Sequence, residues 1–176
     1  MTYTYSNLKY DKEGYYSLSH KEDADKLSLI LKNKYKKIKI LDATAGVGGN
    51  SISFGQYFEN VISIEIDKSR YDLLCENLSN YNLSNITING NFMDNIDLDY
   101  NLIFIDPPWG GPTYKNEKKI ILTLNEKSLK TITQELCDKN KIIVWKLPFN
   151  YDLNEFYEFN YEIYNIKNYL IIIINK

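Results

Sequence analysis

The residues with the most chemical content are Asp106-Pro107-Pro108-Trp109-Gly110-Gly111-Pro112. They follow Leu102-Ile103-Phe104-Ile105, an apolar run that reads as a buried parallel strand. A carboxylate, two prolines and an indole therefore stand just past the C-terminal end of a strand. Open α/β sheets bind their ligands there. Prolines fix φ and carry no N–H, so the carbonyls of a rigid loop can face a ligand. Trp109 offers a flat stacking surface, and the glycines let backbone or ligand approach closely.

A second set of residues begins at Leu41-Asp42-Ala43-Thr44-Ala45-Gly46-Val47-Gly48-Gly49-Asn50. A dinucleotide site would need G-x-G-x-x-G with a pyrophosphate on the helix that follows. Gly46, Gly48 and Gly49 do not complete that spacing. Asp42 just before the loop would repel a pyrophosphate but could hold an ammonium, directly or through water. That favours S-adenosylmethionine, which carries an amino group and a sulfonium, over a nicotinamide cofactor. Glu65 ends the run Val61-Ile62-Ser63-Ile64-Glu65, where an acid can accept both ribose hydroxyls. Asp67 competes for that role but suits a helix cap better. In Gly90-Asn91-Phe92-Met93-Asp94 a polar side chain could reach the adenine amine, with Phe92 against the ring.

These residues need strands and helices in alternation to hold them, and the chain supplies that pattern. Helices are expected over Asp23 to Lys34, Asn50 to Phe58, Ser69 to Asn80 and Lys127 to Asp138. Strands are expected over Ile38 to Asp42, Val61 to Ile66, Ile86 to Asn89, Asn101 to Ile105 and Lys141 to Trp145. After Pro148 the runs Tyr161 to Asn165 and Tyr169 to Ile174 suit an antiparallel hairpin. The expectation is an α/β fold: a mostly parallel seven-stranded sheet, helices on both faces, and a C-terminal hairpin. Residues 1–176 read as one domain, with 1–35 a cofactor-covering segment and helix and 36–176 the core.

Composition excludes several classes. The formal net charge is -2, so no global basic field holds a long nucleic acid. A nucleic-acid substrate would be gripped at one end or one base. Cys75 and Cys137 are not in metal-ligand spacing, and His20 is the only histidine, which argues against a zinc site or a Ser-His-Asp triad. No metal is expected. Neither a secretory signal nor a membrane span is visible, and an intracellular location is expected.

Taken together, the motifs resemble the trimethylguanosine synthase family, the RNA cap guanine-N2 methyltransferases. The matching pieces are Glu13-Gly14-Tyr15-Tyr16-Ser17-Leu18-Ser19, Asp42-Ala43 with Gly46-Val47-Gly48-Gly49-Asn50, Ile64-Glu65-Ile66-Asp67, Gly90-Asn91-Phe92, Pro107 to Tyr114, and Leu147-Pro148 with Asn150. The resemblance implies a class I, Rossmann-like methyltransferase fold with S-adenosylmethionine as donor. The implied acceptor is the exocyclic N2 of a 7-methylguanosine cap on RNA. Ser17, Ser19, Asp42, Ala43, Gly46, Asn50, Glu65, Asn91, Phe92 and Asp106 fall at cofactor positions. Asp106, Pro107 and Trp109 fall at the catalytic positions. Trp109, Pro108, Tyr114 and Asn150 fall at the substrate positions, with Trp109 stacking on the base and Tyr114 meeting cap phosphate.

The chain departs from the family pattern in places. Asp106 stands where Ser is common, Asn91 where Asp is common, His20 where Pro is usual, and Phe149 where an arginine is expected near cap phosphates. Little precedes Tyr10, where cellular members carry a helical extension. Asp106 and the Pro107 carbonyl can accept hydrogen bonds from N1–H and N2–H; the proton lost from nitrogen goes to Asp106 or to water. Two alternatives stand beside the cap reading. One is an amino-group methyltransferase acting on adenine N6 or unmodified guanine N2, because Asp-Pro-Pro-Trp also resembles the tetrad of those enzymes. The other is a non-catalytic cap- or RNA-binding subunit.

Overall fold

The computed structural model describes residues 3–175. It has the expected class: a mostly parallel sheet of seven strands with an antiparallel hairpin, alternating with helices. The chain divides into two compact units, Met1–Asn101 and Leu102–Lys176.

In the first unit the short helix α1 (Lys12–Ser17) precedes α2 (Lys21–Lys34). The sequence reading assigned no element at α1. Its local cause is Asp11, whose side chain accepts the Gly14 N–H and caps the first turn. Strand β1 (Lys39–Asp42) leads through the glycine loop into α3 (Gly49–Tyr57). Strand β2 (Asn60–Glu65), helix α4 (Lys68–Asn80) and β3 (Ile86–Asn89) follow. Asp67 caps α4 by accepting the Arg70 N–H, the role expected for it. β1, β2 and β3 are parallel neighbours, with Asp42 opposite Ser63 and Glu65 opposite Asn89. That register brings Asp42, Glu65 and Asn89 to the same end of three adjacent strands.

The core of this unit includes Leu8, Ala45, Val47, Ile52, Leu74 and Leu78, with Tyr3, Tyr5, Leu18 and Tyr81 packed against it. The first residues described are thus anchored by aromatic packing. Tyr3 also donates to Asp25, and the Tyr5 hydroxyl donates to the Gly49 carbonyl.

In the second unit β4 (Leu102–Ile105) is followed by the proline loop. A short hairpin, β5 (Thr123–Leu124) with β6 (Lys127–Ser128), comes next. Asn125 and Glu126 make its two-residue turn, both with positive φ. Helix α5 (Leu129–Asp138) therefore starts two residues later than expected from Lys127, because Ser128 ends β6 and caps the helix by accepting the Thr131 N–H at 3.1 Å. Strand β7 (Ile142–Pro148) runs three residues past the expected end at Trp145. Its antiparallel pairing with β9 (Tyr169–Ile174) continues to Pro148 opposite Tyr169. β8 (Tyr161–Ile166) completes the hairpin with β9, turning at Lys167, whose φ is 48°.

The core of the second unit centres on Trp145. It is fully buried, stacks on Phe156, and donates its indole N–H to Thr133 Oγ1 at 3.0 Å. The parallel register pairs Ile105 with Trp145. One step further along both strands, Asp106 comes level with Lys146 on the opposite face from Trp145.

Candidate active site

The residues expected at the cofactor gather at the strand ends of the first unit. Asp42 ends β1 fully buried, and Ser51 Oγ donates to its Oδ2 at 2.5 Å. Ala43 follows it and is also buried. Gly46 and Gly48 both have positive φ, 55° and 104°. A side chain at either would be strained there, and at Gly48 a Cβ would also come within 3.0 Å of Leu74. Glu65 is 6% exposed and fully engaged with backbone: Oε2 accepts the Gly46 N–H at 2.8 Å and Oε1 accepts the Asp67 N–H at 2.9 Å. Asn50 donates to Ser19 Oγ at 2.9 Å, which joins the segment between α1 and α2 to the start of α3.

Other positions are placed differently. Ser17 is exposed, and its hydroxyl donates to the Glu13 carbonyl at 3.1 Å. Asn91 accepts the Met93 N–H at 3.0 Å, so its side chain caps a short 3-10 turn over Phe92–Asn95. Phe92 is buried at 3% exposure.

The residues expected at the acceptor gather in the second unit. Asp106 Oδ2 lies 2.6 Å from Lys146 Nζ, and their side chains are 17% and 6% exposed. Burial is the largest influence on Asp106 and pushes its carboxyl above the ordinary carboxylate range. Lys146 pulls it back, and so does the Trp109 indole N–H, although Nε1 itself lies within hydrogen-bonding geometry of no acceptor. Pro107 is buried and Pro108 exposed. The partly exposed Trp109 ring meets Tyr114 edge-on at 5.2 Å between centroids and Tyr169 at 6.5 Å. Lys146 Nζ sits 5.5 Å from the Trp109 centroid and 5.0 Å from that of Tyr169. Burial raises the Tyr114 phenol above its ordinary value, and the Asp106 charge adds to that. Asn150 donates through Nδ2 to the carbonyls of Tyr114 and Glu117, each at 2.8 Å. It thereby holds the loop that carries Tyr114.

Two residues of this landscape escaped the sequence reading. Lys146 is one; the signal was a lone charge in an otherwise apolar strand, which is seldom buried without a partner. Arg70 is the other. It is the only arginine in the chain. It pairs with Glu13 of α1 at 2.9 Å and comes within 3.7 Å of Glu65 and 3.8 Å of Asp67. Among the described residues no group of His, Cys, Asp and Glu is arranged to hold a metal ion. No helix among them is long and apolar enough to cross a membrane.

The profile of the RNA cap guanine-N2 methyltransferases matches residues 37–175. The chain belongs to that family. It is 35% identical over 154 residues to an uncharacterized protein of Acanthamoeba polyphaga mimivirus, covering 81% of this chain and 60% of that protein. It is 32% identical over 155 residues to trimethylguanosine synthase of Schizosaccharomyces pombe, covering 82% of this chain and 64% of the yeast protein. The chain thus spans less than two thirds of either relative's length. Among solved structures, the 16S rRNA guanine-N2 methyltransferase RsmC of Thermus thermophilus shares the fold. That protein, in complex with S-adenosylmethionine and guanosine, matches with a TM-score of 0.65 at 14% identity, over 98% of this chain and 45% of that one.

The cofactor of this methyltransferase family is S-adenosylmethionine. The residues at the strand ends of the first unit fit it. Two buried carboxylates on adjacent strands, Asp42 and Glu65, suit a cationic amino acid head and a ribose diol. The loop between Asp42 and α3 turns at two positive-φ glycines, which keeps side chains away from a bound ligand.

Proposed function

We propose that this chain transfers the methyl group of S-adenosylmethionine to the exocyclic N2 of the 7-methylguanosine cap of RNA. One transfer gives 2,7-dimethylguanosine and a second gives 2,2,7-trimethylguanosine. The observation that carries this reading is the acceptor loop, in which a partly exposed Trp109 stands beside a largely buried Asp106. The family match supports the choice of guanine N2.

On this reading Asp42 takes the amino group of the cofactor and Glu65 its ribose hydroxyls. Ala43, Gly46 and Asn50 line the loop beside it, and Ser17 and Ser19 belong to the segment that covers it. Asn91 and Phe92 border the adenine. When bound, S-adenosylmethionine supplies an electrophilic methyl group on a sulfonium. The work left to the protein is therefore positioning, which is worth several kcal/mol when reactants are held in line.

The acceptor loop does this for the base. Trp109 stacks on it, and a guanine methylated at N7 is cationic, so the indole face adds about 0.5–2 kcal/mol of attraction over a neutral ring. The Asp106 carboxylate and the Pro107 carbonyl accept from N1–H and N2–H and aim the nitrogen lone pair. The proton released after transfer passes to Asp106 or to water. Pro108 stiffens the loop, and Asn150 holds Tyr114 next to Trp109. Phe149, where an arginine was expected, is exposed and brings no charge to the cap phosphates. Lys119 is engaged with Asp152 at 3.1 Å, whereas Lys115 lies beside the Tyr114 ring and is the nearer candidate for phosphate.

The test is methyl transfer from labelled cofactor to 7-methyl-GTP, GTP and adenosine side by side. Transfer to 7-methyl-GTP at N2, faster than to GTP, is expected. Transfer to adenosine alone would replace this reading with an adenine-N6 activity. Cofactor binding without transfer to any acceptor, capped RNA included, would make the chain a binding subunit.

A further inference from the structure

Lys146 is a charged residue in a strand whose other members, Ile142 to Pro148, are apolar. Its side chain is 6% exposed and its Nζ lies 2.6 Å from Asp106 Oδ2. The strand has no structural need of it. An aliphatic side chain would be buried at lower cost, and buried ion pairs seldom add net stability over a well-packed apolar pair. The pair also occurs at a particular place. The register that matches Ile105 with Trp145 sets Lys146 beside the first residue of the acceptor loop. The ammonium rests at the same time against Trp109 and Tyr169, at 5.5 and 5.0 Å from their centroids. One buried cation thus touches both the carboxylate and the indole of the acceptor end.

Two physical consequences follow. A carboxyl this deeply placed is driven toward its neutral form by burial, and a neutral acid presents an O–H to a partner that offers N–H groups. An adjacent cation opposes that drive. It also keeps the carboxylate turned in one direction, and its contact with Trp109 restrains the ring plane on which a base would stack.

We infer that Lys146 is a positioning residue for the acceptor base: it fixes Asp106 as an ionised hydrogen-bond acceptor. The inference rests on the guanine-N2 reading for the identity of the base.

The chain contains two tryptophans, and Trp145 is fully buried in the core, so a fluorescence change on adding a nucleotide reports Trp109. Titrations with 7-methyl-GTP, GTP and ATP are compared for the wild type, Lys146→Met, Asp106→Asn and the double variant. Cofactor affinity and melting temperature are measured on the same samples. If Lys146 acts through Asp106, Lys146→Met weakens 7-methyl-GTP binding about tenfold to a hundredfold, the scale for a hydrogen bond to a charged acceptor. The same substitution in the Asp106→Asn background costs no more than about twofold, because coupled residues are not additive. S-adenosylmethionine affinity stays at the wild-type value in Lys146→Met, and Lys146→Arg recovers most of the base affinity.

Two results on the Lys146 variants overturn the inference. One is Lys146→Met with a lowered melting temperature but wild-type base affinity per folded molecule. The other is an equal loss in both backgrounds. No fluorescence response to any of the three nucleotides in the wild type overturns it as well. Failure of the functional reading looks different: a Lys146-dependent response to guanine nucleotides with no methyl transfer, or a Lys146-dependent response to ATP alone, refutes guanine-N2 transfer and leaves the role of Lys146 standing.

Discussion

Glu65 Oε2 accepts the backbone N–H of Gly46 at 2.8 Å, so the acid at the end of β2 also fastens the glycine loop that follows β1. Its other oxygen accepts the Asp67 N–H at the head of α4. The carboxylate assigned to the ribose is thus held in place before a ligand arrives, by backbone groups on both sides. The same bonds orient the loop, and so one side chain couples loop shape to the proposed cofactor grip.

The first prediction follows from that double role. Glu65→Ala should weaken S-adenosylmethionine binding by about 1.5–3 kcal/mol, the scale for hydrogen bonds to a charged acceptor. It should also leave the Gly46 N–H without its acceptor, so amide exchange across the loop should quicken. Glu65→Gln should do less of both, because the amide oxygen can still accept one bond. Calorimetry on the two variants, with hydrogen exchange at residues 44–49, tests this. Unchanged cofactor affinity in Glu65→Ala would refute the assignment.

A second prediction concerns acid stability. Burial acts to raise the Asp25 carboxyl, but donors from Lys21, Tyr3 and Ser53 outweigh it and hold the group below its ordinary value. Lys21 Nζ is 2.6 Å and Ser53 Oγ 2.8 Å from its oxygens. A carboxyl with a depressed folded pKa adds stability above the unfolded value of about 4 and loses it as pH falls through the folded one. Urea melts from pH 6 down to pH 2 should therefore show a loss that begins near pH 4. Asp25→Asn should be less stable at pH 6 and flatter with pH. Parallel curves for the two proteins would show that Asp25 does not anchor the first residues described.

The strand-helix alternation was legible because buried parallel strands are apolar runs and their helices carry apolar faces. Asp42, Glu65 and Trp109 were legible because strand ends are marked by an abrupt change to polar or rigid residues. The short elements were not. α1 lacks an apolar stripe, being written in Lys12, Glu13 and two exposed tyrosines, and depends on a single cap from Asp11. β5 and β6 have two residues each and carry no period at all. Lys146 was illegible for a different reason. Its partner lies 40 positions away, and only the register between β4 and β7 brings the two charges level. The tasks of Asn91 and Asn150 depend in the same way on turns that form locally but that no spacing announces.

The third prediction is the acid limb of activity. Burial raises Asp106 above the ordinary carboxylate range in spite of Lys146 and the Trp109 N–H. Among the described residues the Tyr114 phenol also feels its charge, and is itself raised and neutral across the working range. If the ionised carboxylate receives the base, affinity for 7-methyl-GTP should fall as pH drops through a midpoint above 4, the usual carboxylate position. In Lys146→Met the midpoint should move higher still, since the charge that opposes burial is then gone. Fluorescence titrations from pH 3.5 to pH 9 measure this limb in both proteins. A flat profile in the two proteins would mean that Asp106 is not the acceptor for the base.

The fourth prediction separates the two tryptophans. Trp145 is fully buried, stacked on Phe156 and bonded to Thr133, so Trp145→Ala should cost about 3–5 kcal/mol of stability. Trp109 is partly exposed and touches Tyr114, Tyr169 and Lys146. Its removal forfeits edge contacts, one cation–π contact and part of its apolar burial, about 2–3 kcal/mol in all. Trp109→Ala should therefore melt less far below the wild type than Trp145→Ala, bind S-adenosylmethionine normally, and lose most turnover on 7-methyl-GTP. Trp109→Phe should keep part of that turnover, because a smaller π face remains, and its preference for 7-methyl-GTP over GTP should narrow. Thermal melts and single-turnover rates on the same preparations decide the matter. A melting shift in Trp109→Ala as large as that of Trp145→Ala, with near-normal turnover per folded molecule, would make Trp109 a packing residue and remove the base-stacking step from the proposed reaction.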